Sequence, residues 1–211
     1  NGFKMYDCYT GFKWIASVIR ENEGKARYIG GGEESYGFLP EDFVRDKDSV
    51  SSISLMAEIA AWAKDKGMTM YQMLQDIYIK YGYSKEKGIS VVRKGKSGAE
   101  EIVAMMKNFR ENPMKELGGS PVILIKDYAS LEATDMVNGT KSKLDMPVTS
   151  NVLQYFSADG SKVSIRPSGT EPKIKFYIEV RGIKMDNYAD YDAANAAADA
   201  KIEAIKKELG I

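Results

Sequence analysis

The sequence contains no histidine among its 211 residues. This absence excludes Ser-His-Asp and Cys-His catalysis, and it excludes metal sites that use imidazole ligands. Acid–base chemistry would therefore have to use carboxylates, lysine or tyrosine, or residues on chain that this sequence does not include.

Cysteine and long apolar runs are also scarce. The single cysteine, Cys8, cannot form an internal disulfide, which predicts a reducing, cytoplasmic setting. No apolar run approaches the roughly 20 residues that a membrane helix needs, so we expect no membrane partner. The N-terminus has no signal-peptide pattern and does not begin with Met, so we expect the chain to come from the middle of a longer protein.

The sequence carries no surplus of charge of either sign, because 30 basic and 30 acidic side chains cancel. A general nucleic-acid binder normally carries a basic surplus, arranged as an extended stripe with aromatic stacking residues. We therefore expect no nucleic-acid partner, while local basic pockets stay open as an alternative. Apolar residues make up 44% and charged residues 28%, which is typical of a soluble globular protein.

What is present over residues 1–82 is an alternation of strand and helix patterns. In chain order they are a strand, a helix, a strand and two helices: "KMYDCYTG", "FKWIASVIREN", "KARYIGGGEESYGF", "SVSSISLMAEIAAWAKDKG" and "YQMLQDIYIKYG". Gly67 ends the second helix, and Thr69 with Gln72 forms a capping-box pattern before the third. This part predicts an incomplete three-layer α/β domain that ends near residue 83.

Residues 83–211 have a different pattern, which predicts an α+β domain. Its predicted strands, hairpin and terminal helix are "ISVVRKG", "PVILIKDY", "NVLQYFSADGSKVSIRPSG", "KIKFYIEVR" and "YDAANAAADAKIEAIKKELG". Ser97 and Glu100 form a capping-box pattern that opens a further helix, Asp159–Gly160 marks the hairpin turn, and Gly210 caps the last helix. We expect a mostly antiparallel four-stranded sheet with two helices.

The stretch "RPSGTEPKIKFY" crowds anion-binding groups into the turn between two predicted strands. Arg166 offers a planar fork that donates two parallel hydrogen bonds to a phosphate. Ser168 and Thr170 alternate, so in extended chain their hydroxyls point the same way. Gly169 lets the backbone approach a ligand closely and expose its N–H groups.

The two ends of this turn also suit a phosphate dianion. Pro167 and Pro172 fix φ on either side, which reduces the ordering cost of binding. Lys173 and Lys175 share one face of the following strand. The alternative is an ordinary polar turn punctuated by Pro and Gly, but the Arg-x-Ser-Gly-Thr arrangement between two prolines favours phosphate binding. The spacing of a P-loop is absent.

A second polar loop, "GGGEESYGF" at residues 30–38, places carboxylates beside a hydroxyl. In extended chain Glu33 and Ser35 share a face, while Glu34 points away. A carboxylate beside a hydroxyl suits vicinal sugar hydroxyls, because the carboxylate accepts two hydrogen bonds and serine donates or accepts. Metal binding, a glycosidase pair and a solvated acidic loop are the alternatives, although glycosidase carboxylates come from separate segments.

Four segments together resemble the α-D-phosphohexomutase family of phosphoglucomutases and phosphomannomutases: "TGFK", "GGGEESYG", "RDKD" and "RPSGTEPKIKFY". The resemblance implies a C-terminal piece of a four-domain protein. Residues 1–82 would be most of the third, sugar-reading domain, and residues 83–211 would be the whole fourth, phosphate-binding domain. The family's catalytic serine loop and Mg²⁺-binding loop belong to its first two domains and do not occur in this sequence.

The resemblance also implies roles for individual residues. The substrate-binding set is Thr10, Gly11, Glu33, Ser35 and Lys47, and the phosphate-binding set is Arg166, Ser168, Gly169, Thr170 and Lys175. Glu33 and Ser35 would hydrogen-bond the sugar 3- and 4-hydroxyls, and Thr10 and Gly11 would line the same pocket. Lys47 would assist proton transfer or charge neutralisation. No other catalytic residue and no metal ligand is implied in this chain, and phosphate or sulfate is the small ligand we expect it to bind.

The implied activity is the interconversion of hexose 1-phosphate and hexose 6-phosphate, with Mg²⁺ and a hexose 1,6-bisphosphate as cofactors of the full-length enzyme. "GEES" followed by Tyr-Gly favours a glucose substrate. The partners would be the sugar phosphate and the N-terminal domains of the same polypeptide. The isolated chain is predicted to be inactive. The alternative is a non-catalytic phosphosugar-binding or regulatory module.

Overall fold

The computed structural model describes residues 2–34, 36–169 and 171–211. The chain divides into two compact units, Asn1–Met73 and Leu74–Ile211. One helix, Met70–Tyr81, begins in the first unit and ends in the second. The boundary proposed near residue 83 lies at the junction between this helix and the strand that follows it.

The first unit contains two complete helices and a short hairpin. Its elements are α1 (Phe12–Glu21), β1 (Gly31–Gly32), β2 (Phe38–Leu39), α2 (Ser49–Asp65) and the start of α3 (Met70–Tyr81). The strands β1 and β2 pair antiparallel. A small core forms where α1 packs against the hairpin, from Phe12, Ile15, Ile19 and Leu39, with Tyr28 partly buried against it.

Side-chain capping hydrogen bonds define the starts of α2 and α3. The carboxylate of Asp48 accepts hydrogen bonds from the N–H groups of Val50 and Ser51, at 3.2 and 2.8 Å, and so caps α2. The capping box predicted before α3 is confirmed: the Gln72 N–H donates to the Thr69 hydroxyl at 3.1 Å, and the Thr69 N–H donates to the Gln72 amide oxygen at 2.9 Å.

The strand predicted at "KMYDCYTG" is wrong, because residues 2–9 form no strand and α1 begins at Phe12. The second predicted strand is reduced to the two residues of β1. A strand satisfies its backbone N–H and C=O groups by pairing with a neighbour. In the described part of this unit the pairing is limited to β1 with β2, so residues with strand-like patterns have no ladder to join.

The second unit is built on an antiparallel sheet. Its elements are β3 (Tyr83–Val92), α4 (Gly95–Glu111), β4 (Glu116–Leu117), β5 (Ser120–Asp127), β6 (Glu132–Asp135), β7 (Lys141–Lys143), β8 (Leu153–Ser157), β9 (Lys162–Pro167), β10 (Lys173–Ile183) and α5 (Tyr191–Leu209). The strand order is β3-β10-β9-β8-β5-β6-β7, and β4 pairs with β5. The predicted antiparallel sheet packed with two helices is confirmed. The predicted number of four strands is too low, because the described sheet has eight, among them the short strands β4, β6 and β7, whose weak patterns were not recognised.

The two faces of this sheet differ in chemistry. Alternate residues of β10 are fully buried, namely Ile174, Phe176, Ile178 and Val180. They belong to one core with the buried faces of the two helices, which are Ile102, Met106 and Phe109 on α4 and Ala198, Ile202 and Ile205 on α5. The helices therefore cover one face, and the intervening side chains of β10 lie on the other.

The ends of the elements in this unit were predicted with mixed success. The turn at Asp159–Gly160 is confirmed, since the Ser157 N–H donates to the Ser161 carbonyl at 2.9 Å. Gly210 caps α5 in the left-handed conformation, with φ 72°. The capping box at Ser97 is wrong, because α4 begins at Gly95 without a side-chain cap. Its first turn approaches the end of β3 so closely that a Cβ on Gly98 would lie 2.4 Å from the Arg93 carbonyl.

Among the described residues, we find no helix whose length and apolar character would let it cross a lipid bilayer.

Candidate functional site

In the second unit, two cationic side chains predicted to bind phosphate lie opposite each other. Arg166 is near the end of β9 and Lys175 is near the start of β10, and the two residues are Cα partners across the strand pair. Their neighbours Ile165, Ile174 and Phe176 are buried in the core. Because side chains alternate along a strand, Arg166 and Lys175 both lie on the face that the helices do not cover.

Like charges placed directly opposite each other on adjacent strands destabilise a sheet. Elsewhere in this sheet such a pair is compensated: Glu179 lies opposite Glu86, and Glu179 forms ion pairs with Lys162 at 2.8 Å and Arg181 at 2.5 Å. Neither Arg166 nor Lys175 makes an ion pair with a described residue. The buried Nε of Arg166 also has no hydrogen-bond partner in the described part of the chain. This end of the sheet therefore has unused capacity to bind an anion.

Hydrogen bonds among its own residues close the loop that follows β9. The Ser168 N–H donates to the Lys173 carbonyl at 2.8 Å, and the Glu171 N–H donates to the Ser168 hydroxyl oxygen at 3.3 Å. The Arg93 N–H donates to the Pro172 carbonyl at 2.9 Å, which ties the loop to the end of β3. The loop thus holds Ser168 beside the paired ends of β9 and β10.

Glu171 forms an ion pair with Lys173 within this loop. A hydrogen bond and the charge of Lys173, and more weakly the charge of Lys175, hold the pKa of the exposed Glu171 carboxyl below its usual value. The loop and the strand ends beside it thus carry three cationic side chains, Arg166, Lys173 and Lys175, and the one carboxylate of Glu171. The remaining net charge of about plus two matches a phosphate dianion.

Gly169 is exposed at the tip of the loop, and a Cβ built on it would meet nothing within 4 Å. Its backbone does not need a glycine for steric reasons in this conformation, so the space beside it is open to a ligand. Thr170, the remaining member of the predicted phosphate-binding set, lies outside the described residues.

Tyr177 belongs to this site and was missed by sequence reasoning. Nη2 of Arg166 donates a hydrogen bond to the Tyr177 hydroxyl at 3.2 Å. The Lys175 Nζ lies 6.0 Å from the centre of the same ring. The available signal was the alternation along β10, because Tyr177 follows Lys175 by two residues and so shares its face.

In the first unit, the structure brings together Gly11 and Glu33 from the predicted sugar-binding set. The Gly11 N–H donates to Oε1 of Glu33 at 2.5 Å. Gly11 is the residue before α1, and its φ of 118° favours glycine. A carboxylate at the start of a helix is stabilised by the helix dipole. Glu33 is in turn fixed by the hairpin, since its own N–H donates to the Gly37 carbonyl at 2.9 Å.

Lys47 lies beside the same hairpin. Its Nζ is 5.5 Å from the centre of the Phe12 ring, and it forms an ion pair with Asp46 at 3.3 Å. A Cβ on Gly37 would lie 2.8 Å from the Phe12 ring and 3.6 Å from Cγ of Lys47. Gly37 therefore lets Phe12 pack against the hairpin and brings Lys47 close to the loop that carries Glu33.

The remaining predicted residues of the first unit are less constrained. Thr10 is exposed immediately before Gly11. Glu34 is exposed at the hairpin turn, beside Glu33. Ser35 lies outside the described residues, so its proposed partnership with Glu33 stays a prediction.

The family resemblance implies a magnesium ion for the full-length enzyme and no metal ligand in this chain. Within the described residues, no group of three or more Cys, Asp or Glu side chains is arranged to hold a metal ion. We therefore derive no step through a metal for this chain.

Two surface depressions border Arg110, and neither is lined by a residue of the two predicted binding sets.

Comparisons with known proteins agree with the motifs. A family model described as phosphoglucomutase/phosphomannomutase, alpha/beta/alpha domain III, matches residues 1–81. A second, described as phosphoglucomutase/phosphomannomutase, C-terminal domain, matches residues 125–198.

Similar proteins include two staphylococcal phosphoglucomutases. That of Staphylococcus aureus (strain MRSA252) is 38% identical over 189 residues, which are 90% of this chain and 34% of the relative. That of Staphylococcus haemolyticus (strain JCSC1435) is 35% identical over 178 residues, which are 84% of this chain and 32% of the relative. The chain thus spans about a third of the length of the curated relatives it matches.

A solved structure shares the fold. The open form of the exocytosis-sensitive phosphoprotein pp63/parafusin, a phosphoglucomutase from Paramecium, aligns with all of this chain and 35% of its own, with a TM-score of 0.60 and 20% identity. The two domain models and the staphylococcal relatives agree with one another. The chain belongs to the phosphoglucomutase/phosphomannomutase family, of which it carries domain III and the C-terminal domain.

Proposed function

We propose that this chain supplies the sugar-phosphate recognition of a phosphohexomutase that interconverts hexose 1-phosphate and hexose 6-phosphate, with glucose as the sugar. The observation that carries the proposal is the uncompensated pair of Arg166 and Lys175, beside a buried Arg166 Nε that has no partner among the described residues. A protein retains such a locally unfavourable arrangement where a ligand compensates it.

The phosphate-binding element lies in the second unit. Arg166 would grip the phosphate through its planar guanidinium, and Lys175 would contribute a point charge. Ser168 and the backbone around Gly169 and Thr170 would add neutral donors. Their task is to hold the phosphate that is not reacting, because phosphoryl transfer depends mainly on positioning and charge stabilisation.

The sugar-reading element lies in the first unit. Glu33 would accept hydrogen bonds from the sugar 3- and 4-hydroxyls together with Ser35, while Thr10 and Gly11 line the pocket. The hydrogen bond from the Gly11 N–H supports this role, because it orients the Glu33 carboxylate before a ligand arrives. Lys47 would neutralise charge or assist proton transfer.

In the whole protein, a phosphoserine on other domains would donate its phosphoryl group to the sugar phosphate. The hexose 1,6-bisphosphate would turn around and return the other phosphate to the serine. The phosphate-binding loop must then accept either end of the sugar. The present chain binds sugar phosphates weakly under this proposal and does not isomerise them. Turnover by the purified 211-residue chain, measured with glucose 1-phosphate, would contradict it.

Binding tests the phosphate-binding role directly. Calorimetry with glucose 1-phosphate compares the unmodified chain with Arg166→Ala and with Arg181→Ala, a control on β10 whose exposed side chain is paired with Glu179. Removing Arg166 should cost about 1.5–3 kcal/mol of binding free energy, which is about 10- to 150-fold in Kd. Arg181→Ala should change little. Unchanged affinity in Arg166→Ala would show that the assigned role is wrong.

A further inference from the structure

Within the phosphate site, one side chain contacts both uncompensated cations. Tyr177 accepts a hydrogen bond from Nη2 of Arg166 at 3.2 Å, and its ring centre lies 6.0 Å from the Nζ of Lys175. Arg166 is the Cα partner of Lys175, and Tyr177 is the Cα partner of Ser164. The contact between Arg166 and Tyr177 therefore runs diagonally across β9 and β10, a reach that long and aromatic side chains can span.

We infer that Tyr177 is a positioning residue, which fixes the guanidinium of Arg166 so that the free Nε faces an incoming phosphate. This inference rests on the proposed phosphate-binding function of the loop. The Nε is buried and has no partner among the described residues, while another nitrogen of the same guanidinium is already held by Tyr177.

An arginine side chain has several freely rotating bonds, and ordering it upon binding costs entropy. A hydrogen bond that already holds the guanidinium reduces the part of this cost that falls on the binding step. The rigid strand β10 supplies the fixed point, since Phe176 and Ile178 on either side of Tyr177 are buried in the core. Tyr177 thus links the guanidinium of Arg166 to a strand whose neighbouring side chains are anchored in the core.

The aromatic ring has a second, weaker effect at the same place. A cation within about 6 Å of a tyrosine ring centre is attracted by the ring. Lys175 is at this limit, so the ring lies beside both cations of the like-charge pair. The hydroxyl and the ring can be separated experimentally, because phenylalanine retains the ring and loses the hydrogen-bond acceptor.

The test uses the 211-residue chain and inorganic phosphate as the ligand. NMR titration follows the Arg166 Nε–H signal, assigned by its absence in Arg166→Lys, in the unmodified chain and in Tyr177→Phe. We expect Tyr177→Phe to raise the Kd for phosphate by about three- to tenfold, the scale of one hydrogen bond, and to shift the Nε–H signal before phosphate is added. Tyr188→Phe is the matched control, because it also removes one hydroxyl hydrogen bond, to Asp76, elsewhere in this unit.

A double-mutant cycle decides whether Tyr177 acts through Arg166. In the Arg166→Ala background, Tyr177→Phe should leave the Kd for phosphate unchanged. An equal loss in both backgrounds, or an unchanged Kd and Nε–H signal in Tyr177→Phe alone, would overturn the positioning role. Absence of any Arg166-dependent phosphate binding in the unmodified chain would instead overturn the proposed function on which this inference rests.

Discussion

Arg166 and Lys175 are directly opposite each other on adjacent antiparallel strands, and neither makes an ion pair with a described residue. This arrangement works against the stability of the sheet, and we attribute it to anion binding.

Removing one of these two charges should stabilise the folded protein and weaken its binding of phosphate. Lys175→Met retains most of the aliphatic length and relieves the repulsion with Arg166. We expect the free energy of unfolding to rise by about 0.2–1 kcal/mol, measured by urea denaturation. The affinity for phosphate should fall about tenfold, the scale of a charged hydrogen bond. Lys162→Met, which breaks the ion pair with Glu179, is the control and should lower stability instead. A loss of stability in Lys175→Met would contradict the account.

The Glu33 carboxylate should contribute to the binding of the sugar and not to the binding of the phosphate group. Glu33→Gln keeps an oxygen that can accept the Gly11 N–H but removes the charge. We expect the affinity for glucose 1-phosphate to fall about tenfold, because hydrogen bonds to charged groups are the stronger ones. The affinity for inorganic phosphate should not change. Glu34→Gln, at an exposed neighbouring position, is the control. Equal losses for both ligands would exclude a role in reading the sugar.

A side chain at position 37 should destabilise the first unit, because a Cβ on Gly37 would lie 2.8 Å from the ring of the buried Phe12. Displacing Phe12 would disturb the core of the first unit and the start of α1, where Gly11 meets Glu33. We expect Gly37→Ala to cost about 1–3 kcal/mol of stability, the usual range for overpacking. Gly88→Ala, where a Cβ would meet nothing within 4 Å, serves as the comparison. Equal thermal stability of the two variants would contradict the packing argument.

Asp159 should make the second unit sensitive to acid. Burial disfavours its ionised form, but hydrogen bonds from Lys201, Ser157 and Ser161 outweigh burial and lower the pKa of its carboxyl from 3.8 to about 2. A lowered pKa in the folded state contributes stability that is present above pH 3.8 and is lost as the pH falls toward 2.

The size of this contribution is about 2 kcal/mol. Asp159→Asn should remove it, so that the difference in unfolding free energy from the unmodified chain is largest at neutral pH and shrinks between pH 4 and about 2. Urea denaturation at several pH values measures this difference. A difference that stays constant over that range would assign the stability to the shape of the turn and not to the charge.

The sequence predicted the elements whose pattern is local. The alternation of Ile174, Phe176, Ile178 and Val180 identified β10, and the Thr69–Gln72 pair identified the start of α3. Each signal is contained within a few neighbouring residues, so no knowledge of distant partners was needed.

One failure is local, namely the capping box at Ser97, since α4 begins at Gly95. The other failures concern elements that depend on distant partners. The strand β3 begins at Tyr83, ahead of the predicted strand "ISVVRKG", because pairing with β10 stabilises the preceding residues. The segment "KMYDCYTG" has a strand-like pattern but finds no partner in the described part of its unit.

The distinction between local patterns and contacts of distant residues also applies to the candidate site. Residues of the two motifs were predicted from their chemistry, including Arg166, Lys175 and Glu33. Tyr177 was not predicted, because its contact with Arg166 depends on the register between β9 and β10. That register brings the Tyr177 hydroxyl within hydrogen-bond distance of the Arg166 guanidinium. The contact of Gly11 with Glu33 likewise depends on how α1 packs against the hairpin.

A crystal structure of this chain soaked with glucose 1-phosphate tests the phosphate-binding role most directly. We predict density for the phosphate group against the Arg166 guanidinium and the Lys175 ammonium, beside Ser168. Phosphate density found only elsewhere, for example in the depressions that border Arg110, with none at Arg166, would contradict it.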